Sequence, residues 1–301
     1  MIHIGLTIPT SAPDAEARTA IEFGRSAEMA GLDSVWVSDR LVFPNQDPLV
    51  TLAAVAATTT RIGLGTCVLL GALRRPALLA KMVASIDRLS GGRVILGLGA
   101  GSRPDDFAAG EIPFEHRGSR LEEDVRLLRA IWSGDEVRHA GNFHQIDVGA
   151  IGPRPAQSHI PIWFGGGADS ALKRIVRVGD GYIGSSSSGP AGFRANWDKI
   201  RRFAEAAGRD IGEITPAALV YACVDDDRER AEAKALAYRM NYYGTRRMDT
   251  TGFLLGSADD CVRGAHEYFE AGVQTMIVGS LTADLTSLDR FCEQVLPRLR
   301  A

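Results

Sequence analysis

The residues of this 301-residue chain that could do chemistry gather in short polar or glycine-rich stretches, each following a short apolar run. They are Ser38-Asp39-Arg40, Gly99-Ala100-Gly101-Ser102-Arg103, Gly165-Gly166-Gly167 and Gly184-Ser185-Ser186-Ser187-Ser188. The triple glycine leads into Ala168-Asp169-Ser170-Ala171-Leu172, which reads as a helix start, so its amides are free of side chains and can meet a phosphate. Taken alone, three glycines are also a tight turn; the hydroxyls of Ser185 and Ser186 favour phosphate oxygens. Asp39, flanked by Trp36 and Phe43, is the carboxylate best placed to orient a ligand or handle a proton. The other reading of Asp39 is a pair with Arg40 that caps a loop.

Other chemistries find little support. The histidines His3, His116, His139, His144, His159 and His266 never fall at ligand spacing, so no metal site is expected. His3 reads as a packed barrel residue, His139 and His144 as exposed loop residues. Cys67, Cys223, Cys261 and Cys292 form no C-x-x-C pair, which suggests a reducing compartment without zinc or a disulfide framework. Arg74-Arg75 and Arg201-Arg202 read as solvated charges; Arg246-Arg247 could meet an anionic tail. With 34 basic and 37 acidic residues, the formal charge of -3 gives no field to hold nucleic acid or an anionic membrane. An apolar fraction of 45% with 24% charged residues describes a folded globular protein. No run approaches the roughly 20 apolar residues of a membrane span, and Met1 to Pro9 reads as a strand, so a cytoplasmic protein is expected.

The elements that must position these stretches alternate along the chain. Strands are expected at Ile2 to Ile8, Ser34 to Val37, Ile62 to Val68, Val94 to Leu98, Ile162 to Phe164, Gly181 to Ile183, Ala217 to Val224 and Thr275 to Val278. Between them, Leu121, Val125, Leu128 and Trp132 recur at helical spacing, and Leu78, Leu79, Met82, Val83, Ile86 and Leu89 read as one face of a second helix. Glycine closes the helix-to-strand joints, as in Ala30-Gly31-Leu32 and Ala271-Gly272-Val273. Eight strand-then-helix units with two-sided apolar strands predict a (β/α)8 TIM barrel, whose active site forms at the carboxyl ends of the strands. One domain spanning residues 1–301 is expected. Asp105 to Pro161 and Asp225 to Ser257 exceed the ordinary rhythm and predict insertions at the carboxyl-terminal face, as decoration or as lids.

Several runs resemble the bacterial luciferase-like superfamily of flavin and deazaflavin oxidoreductases. They include Ala30-Gly31-Leu32-Asp33-Ser34-Val35-Trp36-Val37-Ser38-Asp39, Arg61-Ile62-Gly63-Leu64-Gly65-Thr66-Cys67-Val68 and Leu89-Ser90-Gly91-Gly92-Arg93-Val94-Ile95-Leu96-Gly97-Leu98-Gly99-Ala100-Gly101. The likeness continues through Pro161-Ile162-Trp163-Phe164-Gly165-Gly166-Gly167 and Gly179-Asp180-Gly181, where it is most similar to members that use the deazaflavin coenzyme F420. FMN, in a monooxygenase fed by a partner reductase, is the alternative; a non-catalytic F420-binding protein is a further one. The resemblance implies a homodimer and a small-molecule substrate. It also implies a non-proline cis peptide at Cys67-Val68. The cofactor would lie against Cys67, Val68, Gly99, Ala100, Gly101 and Ser102, with its phosphate at Gly165, Gly166, Gly167, Gly184, Ser185 and Ser186.

With F420 the implied reaction is hydride transfer, and Asp39 and Arg40 are the residues expected on the substrate side. Here the chain departs from its better-known relatives. Deazaflavin enzymes that oxidise sugar phosphates or alcohols have His after the matching Asp, where this chain has Arg40, and a guanidinium is a poor proton shuttle. No acid follows the Gly99-Ala100-Gly101 run either. Oxidation of sugar phosphates or alcohols is therefore not carried over.

Overall fold

The computed structural model describes residues 2–12, 15–16, 18–244 and 249–300, so Arg246-Arg247 lies outside the described residues. Eight parallel strands close into a ring: β1 (His3–Thr7), β2 (Ser34–Val37), β3 (Gly63–Thr66), β4 (Val94–Gly99), β5 (Ile162–Gly165), β6 (Gly181–Gly184), β7 (Thr215–Val224) and β8 (Thr275–Ser280). Each pairs with the next, and β8 returns to β1 with Ile4 opposite Met276. This is the predicted (β/α)8 barrel, with each strand where the apolar runs placed it. The third run is shorter than expected because the chain bulges after Thr66 and resumes pairing with β4 only at Leu69–Leu70.

Two apolar layers hold the barrel. Inside it, Trp36 stacks on Trp163 with ring centroids 5.3 Å apart, packed with Cys67, Ile183, Ala217 and Ile277. Glycine makes room for these rings: a Cβ at Gly65 would lie 2.1 Å from Trp36, and one at Gly181 2.5 Å from Trp163. Outside it, helices lay apolar stripes on the strands. Arg117–Ser133 buries Leu121, Val125 and Leu128 as the spacing predicts, and half-buries Trp132, whose indole donates to the Ala80 carbonyl. Pro76–Ser90 differs from expectation. It buries Leu79, Val83 and Ile86, but Leu78, Met82 and Leu89 fall on its outward side and are exposed. Gly31 (φ 80°) and Gly272 (φ 105°) take the left-handed turn expected at the helix-to-strand joints.

The insertions lie only in part at the carboxyl ends of the strands: the hairpin of the first follows its helix, in the return to β5, and rests its turn on Glu123 of that helix instead of over the mouth. After β4 come the helix Pro104–Ala109 and, beyond Arg117–Ser133, an antiparallel hairpin of Val137–Ala140 with Gln145–Val148. After β7 comes the helix Arg228–Tyr243, and then Phe253–Gly256, which pairs alongside the upper end of β7.

Candidate active site

At the carboxyl ends of the strands opens a cavity of about 780 Å³. Asp39, Arg40, Cys67, Val68, Gly99, Ala100, Gly101, Ser102, Gly165, Gly166, Gly167, Gly184 and Ser185 all line it. Ser186 does not. The Ser185-Ser186-Ser187-Ser188 stretch turns as a short 3-10 helix, which buries Ser186 and sets its carbonyl against Gly252, outside the cavity.

The floor is built by backbone. The Cys67-Val68 peptide is cis, as the resemblance implied. Ser38 Oγ donates to the Cys67 carbonyl at 3.1 Å. Val68 projects between β4 and β5, where a Cβ at Gly99 would meet it at 2.6 Å and one at Gly165 at 3.3 Å. Bare strand ends are therefore the condition for this bulge. Gly101, at φ 80°, turns its carbonyl to accept from Arg117 Nε at 2.8 Å. Burial pushes the Cys67 thiol up to about 12, so it is a neutral packing group.

The glycine loop leads into the helix Asp169–Val178, whose N-cap, Ala168, has no side-chain acceptor to offer the first-turn amides. One turn in stands Arg174, a residue that sequence reasoning missed. Its side chain lies on the buried face with Leu172, Ile175 and Val176, is only 7% exposed, and lines the cavity. Its Nε has no hydrogen-bond partner. Desolvation lowers its pKa, with the Glu122 carboxylate as a more distant opposing influence. A buried cation without a partner, beside free helix-start amides, fits a phosphate that would supply the missing acceptors.

Asp39 and Arg40 reach the cavity largely engaged, with Arg40 Nε buried and in ionic contact only. Asp39 Oδ2 accepts from Leu70 N at 2.9 Å and from Arg74 Nη1 at 2.5 Å, and Arg74 also pairs with Asp47. Arg74 is thus a half-buried clamp and not the solvated charge the sequence suggested. Arg40 donates to the Tyr242 and Val42 carbonyls at 3.0 and 3.1 Å, and its Nε lies 3.5 Å from Asp106 Oδ2. The Arg40 guanidinium also stacks over Phe43 and Tyr242.

The remaining wall is phenolic. Leu219, Tyr221, Tyr242 and Tyr243 line it, and none of the four was expected from the sequence. They come from β7 and the end of the helix Arg228–Tyr243, so only the fold brings them together. The histidines lie elsewhere. His3 is exposed at the start of β1, because the barrel turns its side chain outward next to Asp33. His144 is buried, not exposed: its Nε2 sits 2.6 Å from Asp124 Oδ1 on the helix beneath the hairpin, and His139 is half-buried against Glu123. Among the described residues no group of three or more His, Cys, Asp or Glu could hold a metal, and no helix is long and apolar enough to cross a membrane.

A second groove, of about 600 Å³, lies near the opposite ends of the strands between Arg129 and Arg209. Its cations are engaged: Arg129 with Asp180 at 2.8 Å, and Arg209 with the carbonyls of Ile175, Val176 and Gly179. The mouth at the carboxyl ends is the site that still has groups to offer.

Residues 2–275 match the model of the luciferase-like monooxygenase family. The chain belongs to this family. Among its relatives, an F420-dependent glucose-6-phosphate dehydrogenase of Amycolatopsis mediterranei (strain U-32) is 28% identical over all of this chain and 99% of its own. Another of that name, from Mycolicibacterium fortuitum, is 33% identical over 77% of this chain and 72% of its own. The luciferase-like fold is shared with two solved structures. An F420-dependent secondary alcohol dehydrogenase in complex with an F420-acetone adduct has a TM-score of 0.85 at 22% identity, covering 100% of this chain and 99% of the other. The coenzyme F420-dependent tetrahydromethanopterin reductase of Methanopyrus kandleri has a TM-score of 0.83 at 21% identity, covering 99% of each chain.

Proposed function

We propose that this luciferase-like protein is an oxidoreductase that transfers a hydride between coenzyme F420 and a small organic substrate. The observation that carries this reading is the pairing, in one cavity, of a bare-backbone floor with the buried, unpartnered Arg174 guanidinium beside the glycine loop. The names of the relatives, one of them matched over its full length, support it.

The amides around Gly165, Gly166 and Gly167, the Ser185 hydroxyl and Arg174 would hold the phosphate. Val68, Gly99, Ala100 and Gly101 would back the ring. When bound, the deazaflavin supplies hydride chemistry, because carbon replaces the nitrogen through which flavins pass single electrons. The protein's part is to fix the reacting groups at close range and exclude water. Asp39 and Arg40 act here as positioning residues: Asp39 fastens β2 to Leu70 and Arg74, and Arg40 fastens the same loop to the helix Arg228–Tyr243. Because Arg40 replaces a proton-carrying histidine, sugar-phosphate oxidation is not part of the proposal.

Separate fluorescence titrations with oxidised F420 and with FMN test the reading. Tight binding of F420 alone is expected. Tight binding of FMN alone would replace it with the flavin monooxygenase reading, and F420 binding without turnover on any carbonyl, imine or quinone would leave a carrier.

A further inference from the structure

Along β7, Ala217 faces the barrel interior and Leu219 and Tyr221, at alternate positions above it, line the cavity. Tyr221 is held there from three sides. Its ring centroid lies 4.9 Å from that of Phe253 and 5.0 Å from that of Tyr238. Its third neighbour is the bare backbone of Gly279, where a Cβ would lie 2.2 Å from the ring. Its hydroxyl lies 3.1 Å from that of Tyr243 and 3.3 Å from that of Tyr238, which is in turn 3.1 Å from Ser11 Oγ. Tyr238 is buried, whereas Tyr243 is partly exposed and lines the cavity.

The other proton-bearing groups at the mouth are poorly suited to acid–base work. The Asp39 carboxylate is held by Arg74 and the Leu70 amide, and the Cys67 thiol packs with Trp36 and Trp163 in the barrel interior. Burial, aided by the neighbouring phenols, keeps Tyr221 protonated far above neutral pH. A group fixed in its acid form can give a proton but does not stand ready to take one, as alcohol oxidation would require. Charge points the same way. Arg40 donates to the Tyr242 carbonyl, and Arg103 to the carbonyls of Tyr242 and Tyr243 at 3.3 and 3.2 Å. Among the described residues, no unengaged cation stands on the phenolic wall to meet an anionic substrate. Flat neutral molecules would instead stack on the rings.

We infer that Tyr221 is the proton donor of a reduction, that Tyr243 reloads it from water, and that the substrates are neutral conjugated carbonyl compounds such as enones. This rests on the hydride-transfer reading above. Hydride supplied by bound reduced coenzyme would add to the β-carbon of the enone, carrying two electrons, and the carbon–carbon π pair would move to form an enolate. The Tyr221 O–H bond breaks, and its proton goes to the α-carbon. Protonated at carbon, the enolate is a stronger base than a phenolate, which drives the transfer. Tyr221 phenolate then takes the proton of Tyr243, which takes one from water; the ring N–H proton that the coenzyme would shed on oxidation neutralises the hydroxide so formed, and the net products are saturated ketone and oxidised coenzyme.

The test uses the full chain, reduced F420 and cyclohex-2-en-1-one as probe, followed anaerobically by stopped flow. Wild type is expected to oxidise the coenzyme. Tyr221→Phe should slow this at least 100-fold while the Kd for oxidised F420, read by fluorescence, stays within threefold. Tyr243→Phe should slow it about tenfold, with a larger loss at high pH, where water supplies protons poorly. A readout independent of turnover is the spectrum of the coenzyme-free protein carrying 13C-labelled tyrosine. Cyclohexenone should shift the Tyr221 and Tyr243 resonances, and glucose 6-phosphate should leave them in place. Full activity in Tyr221→Phe, or turnover of glucose 6-phosphate or a secondary alcohol with enones untouched, overturns the inference alone. Failure to bind oxidised F420 overturns the functional reading beneath it as well.

Discussion

At the scale of the residue, the two informative side chains are buried ones whose charge is incompletely answered. Arg174 stands in a helix face otherwise filled by Leu172, Ile175 and Val176. A guanidinium there weakens the empty protein and strengthens the loaded one. Arg174→Gln is therefore expected to weaken F420 binding about 10- to 100-fold, the loss of a charge-assisted hydrogen bond of about 1.5–3 kcal/mol. Thermal melting of the empty protein should be unchanged or slightly higher, because an unpaired buried charge has been removed. Lower stability together with unchanged affinity would assign Arg174 to the fold. The Asp124–His144 pair gives a pH prediction. Burial pushes the Asp124 carboxyl up to about 8 and lowers His144, so folded protein holds one proton on the carboxyl next to a neutral imidazole. Just below about pH 6.5 the unfolded chain also holds one proton, on the histidine, so the pair contributes little slope there. From about 6.5 to 8 the folded pair keeps a proton that the unfolded chain has lost, so stability falls as pH rises, by up to about 2 kcal/mol. Urea titrations at pH 6.5 and 8 measure this, and Asp124→Asn should abolish the pair's share of the difference.

At the scale of the element, the insertions are fastened by single polar residues reaching across the mouth. Asp106, on the helix Pro104–Ala109, accepts from the amides of Leu41 and Val42 at 3.0 and 2.7 Å and faces Arg40, which in turn holds the end of the helix Arg228–Tyr243. Arg40→Ala should free that helix end and leave Asp106 without its cation, at a cost of about 3 kcal/mol. Since Tyr242 and Tyr243 form the phenolic wall, turnover should fall more than coenzyme affinity, and Arg40→Lys should not restore it, because an ammonium cannot stack on Phe43 and Tyr242 while bonding two carbonyls. Equal loss of both functions, or of neither, would contradict this. These links explain what the sequence hid. Parallel strands covered on both faces leave continuous apolar runs, so all eight barrel strands were legible, as were the glycine stretches at their ends. Only the extent of the first insertion was legible, not its hairpin, which is seated on Glu123, whose carboxylate accepts from the amides of Asn142, Phe143 and His144, a contact no local pattern announces. Neither Arg174 nor the Ser11–Tyr238–Tyr221–Tyr243 array was legible. The first sits inside an ordinary helical stripe, and the second joins residues up to 232 positions apart, counted from Ser11 to Tyr243.

At the scale of the whole molecule, the site depends on how the barrel is filled. Besides branched aliphatic residues such as Ile183 and Ile277, the interior holds the stacked Trp36 and Trp163, accommodated by Gly65 and Gly181 on the flanking strands. Trp36 lies opposite Gly65 across the β2–β3 ladder, so one residue's bulk is matched to the other's absence of a side chain. The same strand ends carry Asp39 and the Cys67-Val68 bulge, and an error in filling the interior would be felt at the mouth. Gly65→Ala places a methyl where the indole stands and is expected to cost several kcal/mol, at the upper end of overpacking effects, about 3 kcal/mol or more. Trp36→Leu alone should cost about 3 kcal/mol through the cavity it leaves. If the two residues are coupled by volume, the double variant should be more stable than the sum of the single losses predicts, by about 1–3 kcal/mol, and should recover part of the F420 affinity that each single variant loses. Strict additivity in urea unfolding would mean that the glycine serves the backbone of β3 and not the indole, and that the bulge beneath the coenzyme site is set by β3 independently of the tryptophan pair.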